Sequence, residues 1–187
     1  MRKEQKANYP ESARGAAALL VRMVLEDGAY TNIALNQYLR GSRLSDLDRR
    51  LATELVYGTV KASGTLDWYL AQCVSRPLDK VAGDILAILR ISTYQLLYMT
   101  RIPASAAVNE AVKLARSVSH EGSAKFVNGV LRGLLRKQEA GAFVLPDAEK
   151  QDADYLSLKY YHPRWLVKRW LGPWGRGGTE RLLAFDN

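Results

Sequence analysis

Lys125-Phe126-Val127-Asn128-Gly129-Val130-Leu131-Arg132-Gly133-Leu134-Leu135-Arg136 is the stretch that decides the fold class. At about 100° per residue, Val127, Val130, Leu131, Leu134 and Leu135 gather on one side of a helix. Lys125, Arg132 and Arg136 fall almost opposite, in one narrow stripe that also holds Gly129. Gly129 thins that surface, so another backbone can approach closely. Phe126 lies on one flank between the two faces and Asn128 on the other. A partly exposed ring can stack on an unpaired base, and an asparagine amide offers both donor and acceptor to a base edge. The same pattern also fits a solvated basic face with Phe126 tucked into the core, and this helix alone does not choose between the two.

Working back towards the start, the same period recurs. Ala13, Ala16, Ala17, Leu20, Val21 and Val24 form one buried stripe, with Ser12 as a cap before it and Gly28 ending it. Thr31 or Asn32 starts a short second helix that offers Ile33, Leu35 and Leu39 for burial and stops near Gly41. Ser45 or Asp46 caps a third and longer helix built on Leu51, Leu55 and Val56, with Gly58 or Ser63-Gly64 as kink points. Its apolar pattern continues through Trp68 and Leu70 to Pro77. Residues 79–99 are the most apolar, and a helix apolar nearly all round belongs in the middle of a bundle. Ile102-Pro103 breaks it, and Val108, Ala111, Val112 and Ala115 mark the next helix. No segment alternates over strand length and no repeat recurs at a fixed period. The expected fold class is therefore all-α, a bundle of six to seven helices with a short C-terminal helical extension.

The chain divides by composition. Residues 1–11 read as a mobile basic arm carrying Arg2, Lys3 and Lys6, and residues 12–138 as the helical domain. From 139 to 152 the sequence shifts to Glu, Ala, Gly, Pro and Asp and loses helical period, as a linker does. Residues 153–187 look like the opening of a further domain, with Pro163 suited to a first helical turn and too few residues for a core of their own.

Of 187 residues 48% are hydrophobic, so disorder is not the default, and the net charge of +8 suggests a polyanionic partner. That charge is lopsided: residues 1–138 hold 20 Lys/Arg against 12 Asp/Glu, and the rest is neutral. A nucleic-acid face therefore belongs to the first block. There Arg14 and Arg22, eight residues apart beside the first apolar stripe, add arginines able to pair with phosphates and stack on bases.

Catalytic signatures do not emerge. No glycine-rich nucleotide loop or P-loop occurs, and His120 and His162 belong to no metal-ligand spacing. Asp46 and Asp48 read as helix-start charges. The single cysteine, Cys73, excludes an internal disulfide and reads as a small buried hydrophobe. No signal region and no long uncharged apolar run is present, so no membrane association and a cytosolic location are expected.

The motif Lys125-Phe126-Val127-Asn128-Gly129-Val130-Leu131 resembles the last-helix signature of the NusB family of antitermination factors. Ala13-Arg14-Gly15-Ala16-Ala17 resembles that family's first helix, and Ile102-Pro103 with Ala107-Val108-Asn109-Glu110-Ala111-Val112 resembles its following turn and helix. These matches run in order over about residues 12–138. Asp48 to Val60 and His162-Pro163-Arg164-Trp165-Leu166-Val167-Lys168-Arg169-Trp170 are closer to the RsmB/Sun family of bacterial small-subunit ribosomal RNA cytosine-C5 methyltransferases.

The resemblance implies a NusB-like fold and RNA contacts at Arg14, Lys125, Phe126 and Asn128, with Arg22, Arg132 and Arg136 added from helix geometry. The lead-in Glu121-Gly122-Ser123-Ala124 departs from the acidic-serine pattern usual in NusB, so individual base contacts need not transfer. It also implies ribosomal RNA as partner and, in a full-length parent, a catalytic domain holding S-adenosylmethionine and a cysteine that attacks C6 of cytosine. This chain shows no motif for that cofactor, and Cys73 lies outside any such catalytic motif. No cofactor, metal or turnover is expected of the chain by itself. Two other readings stay open: a free-standing antitermination factor, or a helical module that docks on its own catalytic domain.

Overall fold

The computed structural model describes residues 8–186, and over them the chain forms helices without strands. Arg2, Lys3 and Lys6 of the expected arm lie outside the described residues. The order is α1 (Ala13–Leu25), α2 (Thr31–Gly41), α3 (Asp46–Lys61), α4 (Ser63–Ala71), α5 (Gly83–Tyr98), α6 (Ala104–Val118), α7 (Glu121–Glu139), α8 (Asp152–Tyr160) and α9 (Arg164–Phe185). The first seven make the expected bundle.

Local chemistry sets the boundaries. Ser12 caps α1, its hydroxyl accepting the Gly15 N–H at 3.1 Å, and Ser45 caps α3 by accepting from Asp48 at 3.2 Å. Each satisfies one of the N–H groups a helix start leaves unpaired. The long third helix expected from the sequence is two, separated at Ala62. Gly58 does not kink it: a Cβ there would sit 2.1 Å from the Tyr94 ring, so the bare backbone lets α3 approach α5.

Packing centres on α5, whose Ile85, Leu86, Ile88, Leu89 and Ile91 are all buried. Burying each such side chain is worth about 1.5–3 kcal/mol. Two of its polar side chains bond back to the helix itself: Ser92 donates to the Ile88 carbonyl at 2.7 Å, and Gln95 to that of Ile91 at 3.1 Å. Arg90, 9% exposed, makes a two-pronged pair with Asp67 of α4 at 2.8 Å and 2.8 Å. Helix α1 packs on α3 and α5, and α7 on α6 and α5.

Ile33 departs from expectation. It is 60% exposed, while Ala34 and Leu35 are buried. Residues two apart on a helix do not share a face, so Ile33 and Leu35 could not both turn inward.

Residues 140–151 carry turns only, and α8 and α9 follow. The tail does form a core of its own, small as it is: Leu156, Val167 and Leu183 are fully buried together, with Tyr155, Tyr160, Trp170 and Leu171 packed around them. This is made possible by a reversal inside α9. Gly175, following Pro173, adopts φ 57° and ψ 179°, a region open to glycine almost alone. The second half of α9 thereby returns Leu183 to Leu156 and Val167, and Asp186 to His162. Contacts among the described residues tie this unit to the bundle. The Thr65 hydroxyl donates to the Leu158 carbonyl at 3.1 Å, Lys61 donates to the Asp186 carbonyl at 3.0 Å, and the Tyr98 and Tyr161 rings meet edge-on at 5.3 Å. Among the described residues no helix is long and apolar enough to cross a membrane.

Candidate nucleic-acid interface

Helix α7 begins at a side-chain cap, His120 accepting the Ser123 N–H at 3.3 Å. Its inward face, Ala124, Val127, Val130, Leu131 and Leu134, is buried. That anchoring fixes the opposite face outward, where Lys125, Gly129, Arg132 and Arg136 are exposed. Arg132 donates through Nε to the Asn128 side-chain carbonyl at 2.9 Å. One turn apart, the two form a unit in which the Asn128 amide NH2 and the terminal nitrogens of Arg132 are further donors. Lys137 turns the other way and donates to the Gln72 carbonyl at 2.5 Å, closing the α7 end against the segment after α4.

Phe126 is half-buried, packed on the core beneath and capped above by a guanidinium. Arg76 stands 4.8 Å from its ring centroid, a cation–π distance. Around this pair lies a cleft of about 320 Å³ lined by Arg76, Lys80, Ile85, His120, Ser123 and Phe126. The two alternatives for Phe126 therefore merge: one face rests on core, and the other is roofed by a planar cation on which a base can stack. Arg76 and Lys80 were missed by sequence reasoning. They lie about fifty and forty-five residues before Phe126, beside Pro77, and the only signal was a pair of cations flanking a break in helical pattern.

The two α1 arginines are placed differently. Arg14 donates through Nε to buried Gln95 at 2.8 Å, near the end of α5, and it adds to the charges that hold the Glu110 carboxyl of α6 low, the Lys113 hydrogen bond being the main one. Arg22 lies at the start of α5, with one terminal nitrogen 3.4 Å from Asp84 and the other 3.4 Å from Asp27. Burial works against its charge, but Asp84 and Asp27 outweigh it and hold the guanidinium protonated more firmly than usual. Tyr9, whose hydroxyl donates to Asp84 at 2.5 Å, completes this cluster and fastens the lead-in to α1 against the bundle. The structure thus gathers Lys125, Phe126, Asn128, Arg132 and Arg136 on α7, and it holds Arg14 and Arg22 against opposite ends of α5.

Other reactive groups are quiet. Cys73 is half-buried against the core, and burial pushes its thiol up despite nearby Lys137. His162 is buried between the Tyr160 carbonyl and Asp186. Among the described residues no three His, Cys, Asp or Glu side chains are grouped to hold a metal.

Comparison with known proteins bears on this geometry. The chain is 40% identical over 176 residues to the probable ribosomal RNA small subunit methyltransferase B of Synechocystis sp., a match covering 94% of this chain and 39% of that protein. It therefore spans well under half the length of the curated relative. Among solved structures, that of antitermination factors NusB and NusE in complex with dsRNA shares the fold at TM-score 0.62 and 21% identity, covering 68% of this chain and 96% of that one. PH0851 matches 96% of this chain at TM-score 0.68 and 19% identity, over 39% of its own length. Residues 11–136, α1 through α7 apart from its last turn, match the NusB family, and the chain belongs to that family.

Proposed function

We propose that this chain is the RNA-gripping module of a small-subunit ribosomal RNA cytosine-C5 methyltransferase, working in the cytosol. The observation that carries the reading is the solvent-facing stripe of Lys125, Arg132 and Arg136 on α7, flanked by the Arg76-capped ring of Phe126. Two comparisons support it: a relative named as a ribosomal RNA methyltransferase, and a NusB structure holding RNA. Phosphates lie along the stripe, an unpaired base stacks at Phe126 and Arg76, and the Asn128 amide meets a base edge. Arg14 contributes a phosphate contact, because Gln95 engages only its Nε. Arg22 is occupied by Asp84 and Asp27 and contributes to stability instead.

The described residues are helical, without the strand-to-helix turn on which a doubly wound domain seats a nucleoside. We assign S-adenosylmethionine and methyl transfer to a further domain of the parent protein. The exposed aromatics of α9, Trp165 at 65%, Trp174 at 61% and Phe185 at 94%, favour the extension as the side on which that domain docks.

The test is fluorescence anisotropy of the whole chain with a labelled single-stranded fragment of small-subunit ribosomal RNA. Affinity is expected to fall with salt, log K against log[salt] having a slope of about −0.7 per phosphate neutralised. Failure to bind at low salt overturns the reading.

A further inference from the structure

The clefts of this molecule differ in what balances their cations. Beside α8 and α9, two clefts are each lined by Arg164 together with Asp154, and those two side chains are paired. The cleft of about 320 Å³ beside Phe126 is lined by Arg76 and Lys80, and among the described residues no carboxylate lines it with them. Lys80 Nζ lies 3.9 Å from Asp79, its neighbour in the chain, and the two side chains are 73% and 72% exposed. A pair that long and that well hydrated holds the ammonium weakly, so a phosphate can draw it away. Arg76 lays the face of its guanidinium on the Phe126 ring at 4.8 Å. A guanidinium stacked on a ring still presents its N–H edge to a further partner.

The turn between α6 and α7 adds a donor from the other wall. His120 Nδ1 accepts the Ser123 N–H at 3.3 Å, so in the neutral ring the proton sits on Nε2, 3.4 Å from the Ser123 hydroxyl oxygen. Ser119 and Ser123 are hydrogen-bonded to each other at 3.0 Å, and that bond takes one of their two hydroxyl protons. The second is left to turn into the cleft, which both serines line. A guanidinium edge, an ammonium and a hydroxyl thus face one space, and all three donate. A phosphate carries negative charge and only acceptor oxygens towards such a set, and charge-assisted bonds to it are the strong ones.

We propose that this cleft seats a phosphate of the bound RNA strand, next along the chain to the base stacked at Phe126, held by the Arg76 N–H edge, Lys80 and a hydroxyl of the Ser119–Ser123 pair. The proposal rests on the RNA-binding reading above and says where the strand leaves the α7 stripe. Connectivity calls for such a seat, because a nucleotide within a strand has a phosphate on either side of its sugar. Lys125, exposed on α7 and outside the cleft, serves one of them. The cleft serves the other, so the base is fixed from both sides and the strand crosses α7 at Phe126.

The experiment is amide NMR of the full chain titrated with a single-stranded oligocytidylate, together with its affinity across a range of salt concentrations. The expected result is movement of the Gly122 and Ser123 amides along with those of Gly129 and Gly133. Lys80→Gln should weaken binding about fivefold near 0.1 M salt and shrink the salt slope by about 0.7, the effect of one phosphate. Lys150→Gln is the matched control. That lysine is 84% exposed, stands 3.8 Å from Asp147 and lies outside this cleft, so its loss should change affinity by less than about twofold. If the oligonucleotide moves Gly129 and Gly133 while Gly122 and Ser123 stay still, or if Lys80→Gln loses no more than Lys150→Gln, the cleft seats no phosphate and the α7 reading stands. If no amide responds to RNA, the RNA-binding reading falls and this proposal with it.

Discussion

Helices α1 and α7 carry the same kind of sequence signal, basic residues beside an apolar stripe, and the structure uses them in opposite ways. On α7, Lys125, Arg132 and Arg136 face solvent, and Arg132 donates locally to Asn128 on the same helix. On α1, Arg14 and Arg22 are tied by hydrogen bonds or ion pairs to α5. Two further arginines go entirely to structure. Arg49 donates to the carbonyls of Leu44, Leu39 and Ser42 at 3.0, 2.8 and 2.9 Å, and Arg90 is buried on Asp67. Net positive charge is thus a poor count of cations offered to a partner. What separates the classes is whether an acceptor lies within reach across the bundle.

The contrast can be broken by substitution. Arg90→Ala should act on folding alone, costing about 3 kcal/mol because Asp67 loses its partner. Urea unfolding reads the loss, and RNA affinity of the folded protein should be unchanged. The combined Lys125→Ala, Arg132→Ala, Arg136→Ala variant should do the reverse. Unfolding stays within about 0.5 kcal/mol at these exposed positions, while RNA affinity near 0.1 M salt drops roughly a hundredfold and the salt slope shrinks by about 2. Phe126→Ala should cost about 1–3 kcal/mol of RNA affinity if a base stacks there, with little change in salt slope. An unchanged affinity would remove the stacking role. Smallest and most discriminating is the α1 pair. Arg14→Ala should weaken binding about fivefold, one phosphate contact near 0.1 M salt. Arg22→Ala should leave affinity within about twofold and lower the unfolding midpoint, losing two partly exposed ion pairs of about 1 kcal/mol each at most. Equal losses of affinity from both would place α1 and α7 on one common face.

Much of this was legible beforehand because it is periodic or local. The apolar positions of α7 and the all-round burial of α5 follow from helical spacing, and Ser12 and Ser45 announce their caps. Relations between distant segments carried no such mark. Arg76 over Phe126 and Arg90 on Asp67 depend on which helices meet, and no local rule gives that. The core of the extension was missed for a similar reason. Its members, Leu156, Val167 and Leu183, come together only because α9 folds back, and a run holding Gly172, Gly175, Gly177 and Gly178 does not say which glycine will turn.

That turn has a directional consequence. With the torsions of Gly175 as they are, residue 186 ends beside Lys61 and His162, on the bundle side of the extension. Were α9 to run straight, at about 1.5 Å per residue its last eleven residues would carry the chain some 16 Å outward. One glycine therefore turns the chain at residue 186 back towards the end of α3, like a rudder set by a single bolt.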